Sequence, residues 1–386
     1  MSALRMAVFF VLVLGLTALI HFYLWQRLVR DPVWPSTLAS IGTWGIGTLA
    51  ASIPLAFVGS RLFPRELAAP IAWVAFVWMG AMFLFVVLLV PSELVRAGFG
   101  WLAAPDEVAS PERRKLLARS IAVVVGAAGA SLGALSMVNA LSGPKLTRLR
   151  VSLRGLPSAL RGLRIVQLTD IHVGPTIGRA FVEELVRRTN ELEPDLVAIT
   201  GDLVDGTVAE LGDAVAPLAN LRARHGVFFV TGNHEYYSGA DEWIAHLRTL
   251  GIRVLRNERV TIEHDGAQLD VAGVDDWESR SFGHGPDLRK ALAGKPEDRK
   301  VILLAHQPKQ IDEAAALGVD LQLSGHTHGG QIVPFNYLVR LQQPYVVGLH
   351  EHGPSKLYVS PGTGYWGPPM RLGVKSEIAL LELEPA

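Results

Sequence analysis

The chain has 386 residues, 49% of them hydrophobic, a formal net charge of zero and no cysteine. Its mean hydropathy of +0.29 is too high for an ordinary soluble enzyme of this length, and a zero net charge gives no electrostatic footprint for a nucleic-acid partner. The absence of cysteine excludes disulfides and thiolate metal sites.

The apolar excess is confined to residues 1–145. Four stretches there lack Asp, Glu, Lys and Arg: 6–24, 36–60, 67–90 and 120–141. Each can cover the hydrocarbon core, which takes about 20 apolar residues. Arg27 and Arg30, Arg61 and Arg65, and the cluster from Arg113 to Arg119 mark the breaks. Trp25, Trp34, Trp73 and Trp101 lie near the ends, where indoles favour the interface. Buried helices of a soluble core are the plainer alternative, but four such runs in succession exceed what a soluble core uses. No ionisable group lies deep in a span, and His21 is near the end of the first. Ion and proton pathways need such groups, so residues 1–145 predict a membrane anchor of four transmembrane helices rather than a transporter.

Positive-inside counting places the segment 91–119, with Arg96, Arg113, Arg114, Lys115 and Arg119, in the cytoplasm together with Arg27 and Arg30. The run Glu112-Arg113-Arg114-Lys115-Leu116-Leu117 also resembles a twin-arginine export signal. Both cues predict an extracytoplasmic catalytic half, against the pull of Lys145, Arg148, Arg150 and Arg154 after the fourth span.

Residues 146–386 alternate short β-rich runs with helical stretches. Arg164–Thr169 ends at Asp170, Leu196–Thr200 at Gly201-Asp202, and Val227–Thr231 at Gly232-Asn233-His234-Glu235. Val301–Ala305 ends at His306, and Leu321–Ser324 at Gly325-His326-Thr327-His328. Between the first two, Arg179–Leu192 places Phe181, Val182, Leu185 and Leu192 at helical spacing. The alternation predicts an α/β fold with largely parallel strands. Ligand sites in such sheets lie beyond the carboxyl ends of the strands. One Asp or His after a strand is usually a cap or turn residue; five strands ending this way predict a shared site.

The donors are Asp170, His172, Asp202, Asn233, His306, His326 and His328. Three oxygen donors and four imidazoles are too many for one divalent ion and suit two, with one carboxylate shared between cations about 3.5–4 Å apart. The sulfur-free set favours Mn, Fe or Zn, with Mg a further candidate. Asp170-x-His172 and His326-x-His328 would each put two side chains on one side of an extended segment. Glycines 201, 232 and 325 would let the backbone turn sharply beside the ligands.

The ordered set Asp-x-His, Gly-Asp, Gly-Asn-His-Glu, a lone His after a strand, and Gly-His-Thr-His resembles the calcineurin-like metallophosphoesterases over about residues 160–386. The extension Gly329-Gly330-Gln331 and the anchoring helices are similar to a membrane-associated bacterial subfamily that has a related animal transmembrane version. The resemblance implies a two-sheet sandwich flanked by helices and hydrolysis of a phosphate ester or pyrophosphate by metal-activated water. It implies that Asp170, His172 and His328 hold one metal, that Asn233, His306 and His326 hold the other, and that Asp202 bridges. His234 would face the phosphate, with Glu235 as its orienter. It further implies a bacterial inner-membrane location and a lipid-linked substrate, of which UDP-2,3-diacylglucosamine-type pyrophosphates of lipid A synthesis are one class. The segment from Pro361 to Trp366, with Tyr365 and Trp366, departs from the commoner subfamily form and would shape the substrate pocket.

Asp205, Asp275 and Asp276 follow strand-like runs and are candidates for groups behind the ligands. Arg371 is a candidate phosphate contact, with a solvated or salt-bridged arginine as its plainer reading. His21, His225, His246, His264, His284, His350 and His352 lack motif context and read as surface or structural residues. A non-catalytic metal-binding scaffold is the reading from another class, and the complete ligand set with His234 weighs against it.

Overall fold

A computed structural model describes residues 3–63, 65–102 and 110–386. The chain divides into two compact units, residues 1–138 with 367–370, and residues 139–366 with 371–386.

The first unit holds α1 (Ala3–Trp25), α2 (Ser36–Leu62), α3 (Arg65–Leu102) and most of α4 (Pro111–Leu141). Four helical segments are long and apolar enough to cross a membrane: Val11–Arg30, which runs from α1 into the helical turn Gln26–Arg30, then Ser36–Gly59, Leu67–Val95 and Pro111–Leu141. Much of their apolar surface is open, including Val11, Leu12, Trp44, Leu55 and Leu94, as expected where lipid is the solvent. Leu24, Ala75, Leu84 and Leu89 pack inward, and Trp78 Nε1 donates to His21 Nε2 at 2.8 Å.

Two differences from the sequence expectation follow from helix propensity. The third and fourth helices run past their apolar stretches, so most of the predicted loop 91–119 is helical. Arg, Lys and Leu are good helix formers, and loss of apolar character does not end a helix. Residues 103–109 of that loop lie outside the described residues, as do the side chains of Arg61, Arg65, Arg96 and Trp101. One end of the bundle carries a polar network. Arg27 meets Asp31 at 2.7 Å and Glu93 at 2.7 Å, and Arg119 donates to the carbonyls of Pro32 and Val33.

The second unit is built on two six-stranded sheets. The first contains β1 (Lys145–Leu153), β2 (Arg164–Leu168), β3 (Leu196–Ile199), β4 (Val227–Phe229), β5 (Arg253–Val254) and β12 (Glu377–Pro385), in the order β1-β12-β2-β3-β4-β5. The second contains β6 (Glu258–His264), β7 (Ala267–Gly273), β8 (Val301–Leu304), β9 (Leu321–Ser324), β10 (Gly348–His352) and β11 (Ser355–Val359), in the order β10-β11-β9-β8-β7-β6. The helices are α5 (Arg179–Asn190), α6 (Val208–Val215), α7 (Asn233–Ser238), α8 (Ala240–Thr249), α9 (Leu288–Ala291), α10 (Ile311–Ala316) and α11 (Phe335–Val339).

Period-two alternation explains the layering. Ile165, Leu196, Ala198 and Phe228 of the first sheet meet Val271, Ile302, Leu304, Leu321 and Leu323 of the second in the central core. Val166, Leu168, Val197, Ile199 and Phe229 point the other way, into a core shared with Val182, Leu185, Leu211, Trp243 and Leu247 of the helices. Val301, Leu303 and Leu357 face Leu288, Ile311 and Ala314. The strands are thus buried on both faces, which is why they read as continuous apolar runs. The result is the two-sheet sandwich flanked by helices, with mixed sheets whose pairings are largely parallel and only three antiparallel. The C-terminal strand β12 lies between β1, to which it is parallel, and β2, to which it is antiparallel. Strands β2, β3 and β4 are mutually parallel, as are β7, β8 and β9, so their carboxyl ends open at one pole.

Candidate metal centre

At that pole the strand ends curl sharply. Asp170, His172, Asp202, His326 and His328 all have left-handed backbones, with φ of 51°, 54°, 51°, 70° and 49°. This conformation is uncommon for residues other than glycine and costs on the order of 1–3 kcal/mol each. Asp170-x-His172 and His326-x-His328 are therefore not extended pairs; their side chains converge because the backbone curls. Likewise Asn233 and His234 open α7 instead of extending β4, so their divergence is helical. The strain is held by cross-links between the strand ends. Asp170 N donates to Gly201 O at 3.0 Å, His172 N to Asp202 O at 3.2 Å, and His326 N to the Asp170 carboxylate at 2.9 Å. The loops also touch closely. A Cβ on Gly232 would collide with the Asp202 carboxylate, and one on Gly325 with that of Asp170, so only glycine fits at either position.

The structure gathers six of the seven predicted donors into two sets, and Asn233 opens α7 directly after Gly232, whose backbone packs on Asp202. Asp170, His172 and His328 form one set, with 3.1 Å between His172 Nε2 and His328 Nε2 and 3.4 Å between His328 Nε2 and Asp170 Oδ1. Asp202, His306 and His326 form the other, with 3.2 Å between His326 Nδ1 and His306 Nε2. Asp202 Oδ2 lies 3.1 Å from His306 Nε2 and 3.8 Å from His172 Nε2, so one oxygen faces both sets.

Two features fit cations. Asn233 Oδ1 is buried without a hydrogen-bond partner, and an unsatisfied buried carbonyl is costly unless something electropositive meets it. His306 Nδ1 donates to Thr200 O at 2.8 Å, which leaves Nε2 facing the Asp202 carboxylate and a second imidazole nitrogen. A proton or a bound cation there would satisfy these groups: burial lowers the His306 imidazole, but Asp202 holds it well above its usual range. The electrostatics agree. Burial pushes the Asp202 carboxyl up, but the imidazoles of His306, His234 and His172 outweigh it and hold it well below the usual range. Burial, and then the charge of Asp202 against the pull of His306, raises the Asp170 carboxyl. Burial and neighbouring His306 push His326 down to about 3, keeping it in the neutral form that can coordinate a metal.

His234 lies beside the donors. Its Nδ1 donates to Asp205 Oδ1 at 2.6 Å, and its Nε2 is 4.0 Å from Asp202 Oδ2. Burial lowers this imidazole, but the charge of Asp202 and the bond to Asp205 raise it to about 9. The ring stands edge-on to Tyr237 and Trp366, at centroid distances of 5.3 and 5.7 Å. Both aromatics are more than half exposed. Trp366 is held by a two-point clamp: Gln331 Oε1 accepts from its N–H, and Gln331 Nε2 donates to its carbonyl, both at 2.9 Å. That clamp gives the Gly-Gly-Gln extension a physical role. Tyr365, by contrast, is buried and donates to Thr176 O at 3.3 Å.

Two sequence readings are corrected, and one is extended. Glu235 does not orient His234. It is fully buried and accepts from the N–H groups of Gly232, Leu203 and Asp202 at 2.6, 2.8 and 3.0 Å. It therefore braces two ligand loops, with its carboxyl pushed up to about 7 by burial and by Asp202. Asp205 is the orienter: the oxygen that binds His234 also accepts from His172 Nδ1 at 3.1 Å. Its place three residues beyond Asp202, after the same strand, was the only sequence signal. Arg371 does not face open space. It is fully buried and donates to the carbonyls of Pro361, Gly364 and His328 at 2.8, 2.6 and 3.3 Å, tying the loop after β11 to a ligand. Of the remaining candidates, Asp275 pairs with Arg256 at 2.8 Å, while Asp276 accepts from Gln307 Nε2 and is raised to about 6 by burial.

Residues 163–330 match the calcineurin-like phosphoesterase family. A transmembrane protein with metallophosphoesterase domain from Bos taurus is 42% identical over 330 residues, covering 81% of this chain and 74% of that protein. A protein of the same description from Danio rerio is 40% identical over 296 residues, 74% of this chain and 66% of its own length. An uncharacterized metallophosphoesterase of Helicobacter pylori is 46% identical over 226 residues, covering 58% of this chain and 60% of that protein.

Proposed function

The chain belongs to the calcineurin-like phosphoesterase family and is a phosphoester hydrolase, and from that premise we propose that it is a membrane-anchored two-metal enzyme with the following division of labour. Asp170, His172 and His328 hold one divalent ion, Asn233, His306 and His326 hold the second, and Asp202 bridges them. The observation that carries this reading is the position of Asp202 Oδ2, within 3.1 Å of a nitrogen of one set and 3.8 Å of a nitrogen of the other. When bound, the ions would lower the pKa of water and neutralise phosphoryl oxygens during in-line attack. Mn, Fe and Zn suit these oxygen and nitrogen donors, and Mg is the harder alternative.

The residues supply the rest. Asp205 holds His234 Nδ1, so Nε2 is the atom directed at the cluster. His234 then gives its proton to the leaving oxygen, a contribution of about 10²–10⁴-fold in general acid catalysis. With cations bound, Asp202 would lose part of its pull on His234, and Asp205 would remain the partner that keeps the imidazole basic. Trp366 and Tyr237 flank His234 and line the side from which the leaving group departs.

The proposed substrate is a lipid-linked or membrane-proximal phosphate ester or pyrophosphate, with the enzyme in a bacterial inner membrane. The four membrane-length helices support this, since they keep the enzyme beside such substrates. The catalytic half is proposed to be extracytoplasmic. Protease accessibility in intact cells against inverted vesicles tests that placement; protection in intact spheroplasts would reverse it and favour a nucleotide-linked substrate such as a UDP-2,3-diacylglucosamine. The chemistry is tested by stripping the detergent-solubilised chain of metal and reloading it during hydrolysis of an aryl phosphate. Activity should stay low through the first equivalent and return only with further metal. Full activity at one equivalent would overturn the two-ion assignment.

A further inference from the structure

The opposite pole of the sandwich, at the amino ends of β3 and β4, carries a second cluster of metal-ligating side chains. Asp195 precedes β3, His225 lies two residues before β4, and His264 ends β6, the edge strand of the other sheet. Sequence pattern gave these histidines no context, because the three residues come from three separate turns. His225 Nε2 and His264 Nδ1 are 2.9 Å apart, and Asp195 Oδ1 is 3.9 Å from His264 Nδ1. One ligand atom from each residue falls within 4.8 Å of the others.

Each group is already oriented by other contacts. Asp195 Oδ2 accepts from Arg164 N at 2.8 Å, which leaves Oδ1 for the cluster. The His225 N–H donates to the Asp195 carbonyl at 2.7 Å, fixing those two turns together. His264 Nε2 lies 3.6 Å from Asp265 Oδ2, and Asp265 is itself held by Arg224 at 2.8 Å. A carboxylate behind the far nitrogen of a ligating imidazole is the arrangement that fixes tautomer and ring direction in metal sites. His264 is buried and Asp195 only partly so, which leaves room for water at a remaining coordination position.

We propose that Asp195, His225 and His264 form a third divalent-metal site, of zinc type, that staples the two sheets together at the pole away from catalysis. Two imidazoles and one carboxylate are borderline donors that suit Zn, and one water completes four ligands. Tetrahedral Zn–N bonds of about 2.0–2.1 Å set neighbouring ligand atoms about 3.4 Å apart. The pair at 2.9 Å must open slightly and the one at 3.9 Å must close slightly, both within side-chain adjustment. The site joins turns of the first sheet to the end of the β6–β7 hairpin, so its role is structural.

The test uses the full chain in detergent, stripped of metal and titrated with Zn²⁺ by calorimetry, then with Co²⁺ by visible absorption. The wild type should bind three equivalents. His225→Ala and His264→Ala should each bind two and keep wild-type hydrolysis of an aryl phosphate, which shows that the fold and the catalytic ions survive. His225→Gln, which retains a hydrogen-bonding group toward His264, guards against a folding failure and should also bind two. A wild-type stoichiometry of two would overturn the proposal and reduce the cluster to a hydrogen-bonded histidine pair. A third equivalent that persists in all three variants would overturn it equally.

Discussion

Replacing Asp205 by Asn separates the two tasks of one carboxylate oxygen. Asp205 Oδ1 accepts from His172 Nδ1 at 3.1 Å and from His234 Nδ1 at 2.6 Å, and its side chain is only 22% exposed. The amide keeps the size and one acceptor but loses the charge. A hydrogen bond to a charged group contributes about 1.5–3 kcal/mol, which at 1.36 kcal/mol per tenfold is roughly 10–150-fold. Turnover at saturating metal should therefore fall by about 10–100-fold, through a misdirected and less basic His234. Through His172, affinity for one of the two ions should fall by a similar factor, the usual effect of losing a partner behind a ligand, while the other ion is unaffected. Because the turnover loss acts through His234, adding Asp205→Asn to His234→Ala should cost less than about 3-fold more. Phosphate release at saturating metal gives the first quantity and calorimetric titration the second. Wild-type turnover in Asp205→Asn, or fully additive losses in the double variant, would refute the positioning role.

Three further outcomes follow. His234→Ala should lower turnover of an alkyl phosphate ester by about 10²–10⁴-fold and that of a nitrophenyl ester by much less, with two ions still bound; equal losses would leave His234 an electrostatic rather than an acid role. Arg371→Met strips donors from three buried carbonyls, each costing about 1–3 kcal/mol, so the melting temperature should fall sharply while KM for a small phosphate ester stays within about 2-fold; the reverse pattern would restore Arg371 as a phosphate contact. Glu235→Gln turns an amide nitrogen toward backbone N–H groups that now donate to a carboxylate, so metal affinity and stability should drop by about 1.5–3 kcal/mol with no change in leaving-group dependence, which a role in orienting His234 would alter.

The apolar strands were legible because burial on both faces demands continuous apolar runs. Leu321–Ser324 is β9 with the bounds read from sequence, and Arg164–Thr169 overshoots β2 by one residue. The termini of the membrane helices were not, because charged residues such as Arg113 and Lys115 end an apolar run without ending a helix. The insertion of β12 between β1 and β2 was not legible either, since pairing of distant strands leaves no local pattern. At the site, residue types and spacing showed which side chains sit at strand ends, but not the backbone that gathers them. Asp170 and His172 looked like an extended pair; their left-handed φ values came from cross-links to Gly201 and Asp202, which are long-range contacts. Asp205 lies behind His172 as read, but that it also holds His234 in place of Glu235 was hidden for the same reason. A carboxylate next to His234 in sequence turned inward along α7, and one far from it in sequence reached its ring.

The central claim is that Asp202 bridges two ions, and low-temperature electron paramagnetic resonance of the manganese-loaded chain tests it most directly. Wild type should give the spectrum of an exchange-coupled Mn²⁺ pair, because a shared carboxylate holds the two catalytic ions about 3.5–4 Å apart. Asp202→Asn should lose that coupling together with at least one ion and with turnover. Two magnetically isolated ions in the wild type, or a coupled pair that survives in Asp202→Asn, would contradict the account.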